Sequence, residues 1–291
     1  MPKSPLSGFR RIFQVTKLNA MADRIFSMEP PAADARISYG PDPLQFGDLR
    51  IPEGAGPHPV AVVIHGGFWR ARYDLEHIGH LCAALTSEGI ATWNIEYRRL
   101  GDEGGGWPNT MLDAGAATNH LREIASEYNL DLDRVVTLGH SAGGHLAAWV
   151  ASRHRIPEDS DLYTPSPLPL LAAIPLAGVV DLHTAWEMRL SDNVVEDLML
   201  GTPDEVPERY ASASPVELLP VGTKQILIHG TADPTVPSTL SEIYTAHARD
   251  LGDDPTYIPL KNVGHFELID PTSKWYRIVR DEVLGALKRK T

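Results

Sequence analysis

Cysteine is nearly absent from this chain: among 291 residues there is one, Cys82. An internal disulfide is therefore excluded, and nothing in the cysteine usage points to an oxidising compartment. Positive charge is also scarce, with 26 Lys and Arg against 38 Asp and Glu, a formal net charge of -12 that disfavours polyanions and anionic bilayers. Neither nucleic acid nor membrane is expected as a partner. No stretch approaches the ~20 consecutive apolar residues of a membrane-spanning helix. The stretch Met1 to Ser27 is basic, with Lys3, Arg10, Arg11, Lys17 and Arg24 opposed only by Asp23, yet it lacks the apolar core of a secretory signal. We read residues 1–30 as an arm lying on the domain through Phe9, Ile12, Phe13 and Leu18, with an organelle presequence as the alternative, and the chain as cytoplasmic. Internal repeats and low-complexity tracts are missing as well.

What the chain does contain is apolar runs alternating with helical patterns. Its hydrophobic fraction, 43%, suffices for one large core, and residues 31–291 are read as a single domain. Leu44 to Ile51 alternates apolar and polar residues like an edge or antiparallel strand. Val60 to Ile64 is continuously apolar, as a strand covered on both faces must be. Ile78, Leu81, Cys82 and Leu85 then form a helical stripe, which assigns Cys82 to core packing and leaves His77 and His80 on an exposed helix face. Gly89 to Tyr97 is a strand, Pro108 to about Tyr128 a helix, Arg134 to Leu138 a strand, and His145 to Ala151 a helix. Leu170 to Val180, Gln225 to Gly230 and Thr256 to Leu260 follow as strands, and Trp275 to Lys288 as the closing helix, with Glu267 as its expected cap. Parallel neighbours need crossover connections, so this order predicts an α/β fold with helices on both faces of a mostly parallel eight-stranded sheet, seven of whose strands are located by these runs and the first of which is not. Residues 181–219 break the repeat. They are expected to form a small lid of short helices, one opening at Thr202-Pro203-Asp204-Glu205.

The chemistry centres on Gly139-His140-Ser141-Ala142-Gly143-Gly144, between a strand and a helix. Gly-x-Ser-x-Gly in that setting puts a serine on a strained bend with its hydroxyl projecting outward. A serine hydroxyl needs a base, and the base needs a carboxylate to hold its tautomer. Asp233, just past the seventh strand, and His265, just past the eighth, lie at the carboxyl ends of strands where open parallel sheets bind ligands. Asp181, after another buried strand, is the rival acid. The oxyanion hole is assigned to the amides of Gly67, Phe68 and Ala142, with Gly66 setting the turn. Trp69, Trp107, Trp186 and Met188 are candidates for lining an apolar substrate pocket. His140 and His145 lack metal-ligand companions, and no metal or other cofactor is expected.

With these residues in place, the chain resembles α/β-hydrolases of the esterase and lipase type. His65-Gly66-Gly67-Phe68-Trp69 lacks the third glycine of the hormone-sensitive-lipase pattern and is similar to the His-Gly-Gly-x-Trp of kynurenine formamidases and of bacterial feruloyl and acetyl esterases. Gly201 to Pro220, with Tyr210-Ala211-Ser212-Ala213-Ser214-Pro215, is similar to the lid of those esterases. The resemblance, which runs from about Pro59 to the C-terminus, implies a serine carboxylesterase acting on small acyl or aryl esters through a Ser141-His265-Asp233 triad and an acyl-enzyme. Arylformamidase activity on N-formylkynurenine, peptidase activity and a non-catalytic ligand-binding role are the alternatives, in that order. The partner expected is a small-molecule ester; a homo-oligomer is left open.

Overall fold

The computed structural model describes residues 23–288; the expected contacts of Phe9, Ile12, Phe13 and Leu18 lie outside them. Among the described residues eight strands form one sheet: β1 (Ala35–Ser38), β2 (Phe46–Arg50), β3 (His58–Ile64), β4 (Ala91–Ile95), β5 (Leu130–His140), β6 (Ala172–Leu176), β7 (Lys224–Gly230) and β8 (Thr256–Leu260). Their order is β1-β2-β4-β3-β5-β6-β7-β8. Only β1 with β2 and β2 with β4 are antiparallel; the other pairs are parallel. The direction of winding reverses between β3 and β5, which creates a crevice at their carboxyl ends. Strand β1 carries no sequence signal of its own. It is four residues of Ala-Arg-Ile-Ser, tied to β2 by the Arg36 guanidinium, whose Nε donates to Asp48 Oδ1 at 2.7 Å.

The apolar run of β3 divides its side chains between two cores, as expected for a strand covered on both faces. Val60, Val62 and Ile64 join Trp93, Met111, Leu146 and Trp149 on one face, beneath α2 (Asn109–Ile124) and α3 (Ala142–Ser152). Ala61 and Val63 join Leu81, Cys82, Val279 and Val283 on the other, beneath α1 (Gly79–Ser87) and α8 (Tyr276–Ala286). Helix α7 (Thr239–Asp250) packs on the face of β7, with Tyr244 and Ala248 in one cluster with Leu227 and Leu240 in the larger core. Among the described residues no helix is long and apolar enough to cross a membrane.

Residues 181–219 contain α4 (Leu182–Glu187), α5 (Leu190–Met199) and α6 (Pro207–Ala213). The helix expected to open at Thr202 does not form there. The Thr202 and Glu205 side chains do bond each other's backbone, Thr202 N donating to Glu205 Oε2 at 3.0 Å and Glu205 N to Thr202 Oγ1 at 3.3 Å, but the segment is only a turn. Pro207 has no N–H to continue a helix from residue 203, so it starts a new one as its first residue. Helix α5 begins with a left-handed run: Ser191, Asp192 and Asn193 have φ of 48°, 57° and 62°.

Candidate active site

Ser141 sits at the end of β5 with φ 57° and ψ -119°, a conformation that L-residues rarely adopt and that neighbours must hold in place. Three backbone bonds do so. Its N–H donates to Leu176 O of β6 at 2.9 Å, and its carbonyl accepts from His145 N at 3.1 Å and Val179 N at 3.3 Å. The turn is tight enough that a Cβ on Gly143 would overlap the carbonyl oxygens of Ile64 and His65 at the end of β3. Ile64 is paired with Gly139, so two residues further on Gly66 and Ser141 lie side by side; a Cβ on Gly66 would come within 3.0 Å of Ser141 Cβ.

Asp233 and His265 meet. His265 Nδ1 lies 2.6 Å from Asp233 Oδ2, while Asp233 Oδ1 accepts from the amides of Thr235 at 2.8 Å and Val236 at 2.9 Å. Burial alone would raise the Asp233 carboxyl, but the charge of His265, hydrogen bonds from His229 and His265 and the Val236 amide hold it well below the usual carboxylate range. An ionised carboxylate only accepts, so Nδ1 is the donor in this bond and Nε2 is the ring nitrogen turned away from Asp233. The rival acid is occupied elsewhere. Asp181 caps α4, accepting from Thr184 N at 2.9 Å and Thr184 Oγ1 at 2.6 Å.

A second histidine supports the first. His140 packs on the His265 ring with centroids 4.3 Å apart, and its Nε2 donates to the His265 carbonyl at 3.0 Å. Burial, and then the neighbouring His265, push the His140 imidazole well below its ordinary value, so it is neutral.

After β3 the chain takes three successive positive φ values, 112° at Gly67, 50° at Phe68 and 53° at Trp69. Among the described residues, none of the amides of Gly67, Phe68 and Ala142 donates to a protein acceptor. Such amides can receive an external anion. The loop is anchored by a buried charge cluster that sequence reasoning missed. His65 Nε2 bonds Glu96 Oε1 at 2.8 Å, Arg99 Nη1 lies 3.0 Å from the same oxygen, and the amide of Tyr97 donates to it at 3.0 Å. Tyr97 stacks on His65 at 4.4 Å and donates its hydroxyl to the His65 carbonyl at 2.9 Å. Burial would raise the Glu96 carboxyl, but His65 and Arg99 hold it low. The available signal was a carboxylate directly following a strand buried at every position, Ala91 to Ile95.

The four residues expected to line a pocket do not converge. Trp69 is 0% exposed, packed edge-on to His145 at 5.2 Å, and belongs to the core. Trp107 lines a cavity of about 450 Å³ with Asp159, Glu208 and Arg209. Trp186 lines another of about 480 Å³ with Arg189, Asn193 and Glu196, and donates its Nε1–H to Glu196 at 3.0 Å. Met188 is exposed on the short 182–188 segment. Trp69, Trp107 and the pair Trp186 and Met188 come from three separate connections, so spacing alone does not show which cavity each meets. The largest cavity described, about 910 Å³, is lined by Arg134, Lys224 and Asp253 at the opposite ends of the strands and touches none of the expected site residues. Two further expectations fail: His77 is buried, its imidazole pushed down to about 3 by burial, and Glu267 lies in a short 3-10 turn well before α8 rather than capping it. Among the described residues no group of three or more His, Cys, Asp or Glu could hold a metal ion.

Comparison with known proteins agrees with this architecture. A family model, BD-FAE, matches residues 48–247, and the chain belongs to that family. Solved structures of the same fold include a truncated carbohydrate esterase from gut microbiota (TM-score 0.75, 21% identity, 90% of this chain and 100% of that one). Another is the propionate-bound esterase Est2 of Thermogutta terrifontis (TM-score 0.72, 22% identity, 91% and 99%). The fold is that of the α/β-hydrolases. Curated relatives include the esterases LipC, 26% identical over 81% of this chain and 60% of its own length, and LipQ, 28% over 71% and 50%, both from Mycobacterium tuberculosis. The chain thus spans about half to three fifths of the length of the curated relatives it matches.

Proposed function

We propose that the protein is a serine carboxylesterase that hydrolyses small acyl or aryl esters, with Ser141, His265 and Asp233 as its triad. The observation that carries the reading is the 2.6 Å bond between Asp233 and His265 Nδ1, at the strand ends that also carry an elbow serine and three amides with no acceptor among the described residues. Esterase names among relatives and neighbours support the same class. In the first step His265 Nε2 takes the Ser141 proton as Oγ attacks the ester carbonyl. The electron pair moves onto the carbonyl oxygen, which the amides of Gly67, Phe68 and Ala142 receive. Collapse of the tetrahedral species expels the alcohol, to which imidazolium returns the proton; water then repeats the sequence on the acyl-enzyme. Asp233 remains ionised throughout and stabilises the imidazolium. The connection 181–219 is the lid in this reading.

With p-nitrophenyl acetate as substrate, Ser141→Ala is expected to lose on the order of 10⁴-fold or more in turnover. Asp233→Asn should lose about as much as a wrongly held tautomer costs, on the order of 10⁴. Asp181→Asn should keep its activity. Unimpaired Ser141→Ala would overturn the assignment. The His-Gly-Gly-x-Trp loop favours one competing reading, formamide cleavage; a higher kcat/KM on N-formylkynurenine than on any simple ester would establish it instead.

A further inference from the structure

Residues 23–31 run beside the candidate site and are pinned at several points. Arg24 Nη2 donates to Thr272 Oγ1 at 2.6 Å and lies 3.4 Å from Asp270. Ile25 is buried in the same core cluster as Val63 and Leu268. Arg50 donates to the Pro31 carbonyl at 2.7 Å, and Pro30 occupies the space that a side chain at Gly79 would need. Between these anchors Phe26 is 42% exposed, an unusual state for a large apolar side chain held so firmly.

Its ring is not isolated. Its centroid is 5.1 Å from Tyr73 and 5.5 Å from Phe266, both half-buried, with His77 behind it at 5.1 Å. Phe266 stands edge-on to the His265 ring at 5.1 Å. Tyr73 packs against Gly67, filling the space a Cβ there would take. The three rings therefore form a continuous shelf from the proposed base to the proposed oxyanion loop. Arg72 places a positive charge at the shelf, its guanidinium 4.8 Å from the Tyr73 ring centroid. His77 is neutral at physiological pH because burial holds it near 3.

Which half of an ester meets this shelf follows from proton delivery. The imidazole must reach the departing oxygen when the tetrahedral species collapses, so whatever flanks His265 flanks the alcohol rather than the acyl group. We propose that Phe26, Tyr73 and Phe266 form a leaving-group subsite that selects aryl or arylalkyl alcohols. Stacked and edge-on ring packing supplies the preference. The inference rests on Ser141 and His265 being the reacting pair.

The test uses the full chain and esters sharing one acyl group, benzyl acetate and ethyl acetate, with ethyl benzoate as the acyl-side control. Phe26→Ala should lower kcat/KM for benzyl acetate about tenfold more than for ethyl acetate, mainly through KM. Phe26→Leu, which keeps apolar bulk and the Arg24 and Ile25 anchors, should give the same ordering with a smaller ratio. Equal losses on both acetates would overturn the proposal, as would a loss confined to ethyl benzoate. Binding of benzyl alcohol to the Ser141→Ala protein, followed by saturation-transfer NMR, separates this inference from the catalytic reading. Binding that Phe26→Ala abolishes supports the subsite even where no ester is turned over; turnover without discrimination removes the subsite and leaves the esterase standing.

Discussion

Two parts of this molecule are held together by different means. The strand ends that carry Ser141, Asp233 and His265 are fixed by backbone contacts: Ser141 N to Leu176 O, Val179 N to Ser141 O, Thr231 N to Leu260 O and Ala232 N to Val263 O, at 2.9 to 3.3 Å. The connection 181–219 is fixed largely by side chains reaching for main-chain carbonyls. Arg70 donates to Ser191 O at 2.7 Å, Arg209 to Met199 O at 2.8 Å, His145 to Ala213 O and Trp149 to Ser212 O at 2.9 Å, and the Tyr210 hydroxyl to Gly201 O at 3.1 Å. Its left-handed run over Ser191, Asp192 and Asn193 costs roughly 1–2 kcal/mol per residue, which those contacts must offset. A backbone-fixed ledge tolerates varied side chains but not an added atom at a close approach. A side-chain-fixed connection can be re-shaped by single substitutions without disturbing the sheet.

The sharpest way to break this contrast is at the elbow. Gly143→Ala would drive a methyl group into the Ile64 and His65 carbonyls, and should destabilise the fold by about 3 kcal/mol or more in urea unfolding. A loss under about 1 kcal/mol would mean the turn has slack and the ledge is not backbone-locked.

The seam between the two regions offers a pH test. His145, in the elbow helix, is held at about 4 by burial, against about 6.5 in an unfolded chain. Between those values only the unfolded chain takes up this proton, so stability is complete above about pH 6.5 and falls by about 1.4 kcal/mol per pH unit on acidification. His145→Gln keeps an N–H for Ala213 and should reduce the acid-side slope by that amount; an identical slope in both proteins would show that His145 is protonated in the fold. The smallest expected effect lies in the connection itself. Arg70→Ala should cost about 1 kcal/mol and bring the first tryptic or chymotryptic cuts into residues 189–193, with the Asp233–His265 pair undisturbed. Cleavage elsewhere first would show that the left-handed run does not depend on Arg70.

Where sequence reading succeeded, the signal was local. Glycine spacing around Ser141, the apolar run of β3 and the turns after β7 and β8 each follow from contacts within a few residues, and the same residues locate the strand ends. It failed where a residue's role depends on what lies across space. Trp69 reads as a pocket wall because it follows the His65-Gly66-Gly67 turn, yet its positive φ directs the indole into the core against His145. His77 has the spacing of a surface residue and is covered because Phe26 packs over it. Glu96 looks like an ordinary strand-end carboxylate until His65 and Arg99 are seen to converge on it.

The amino-acid sequence by itself determined the α/β layering, the carboxyl-end positions of Ser141, Asp233 and His265, and the glycines that let β3 and the elbow touch. These depend on periodicity and on steric limits of the backbone, which short segments encode. Only the tertiary structure decided that Asp181 caps a helix while Asp233 meets His265, that Glu96 anchors the loop after β3, and that Phe26 packs on Phe266, about 240 residues further along the chain. Hydrogen bonds, buried charges and ring packing act over a few ångströms of space whatever the separation in sequence, so the pairs they select appear only once the chain is folded.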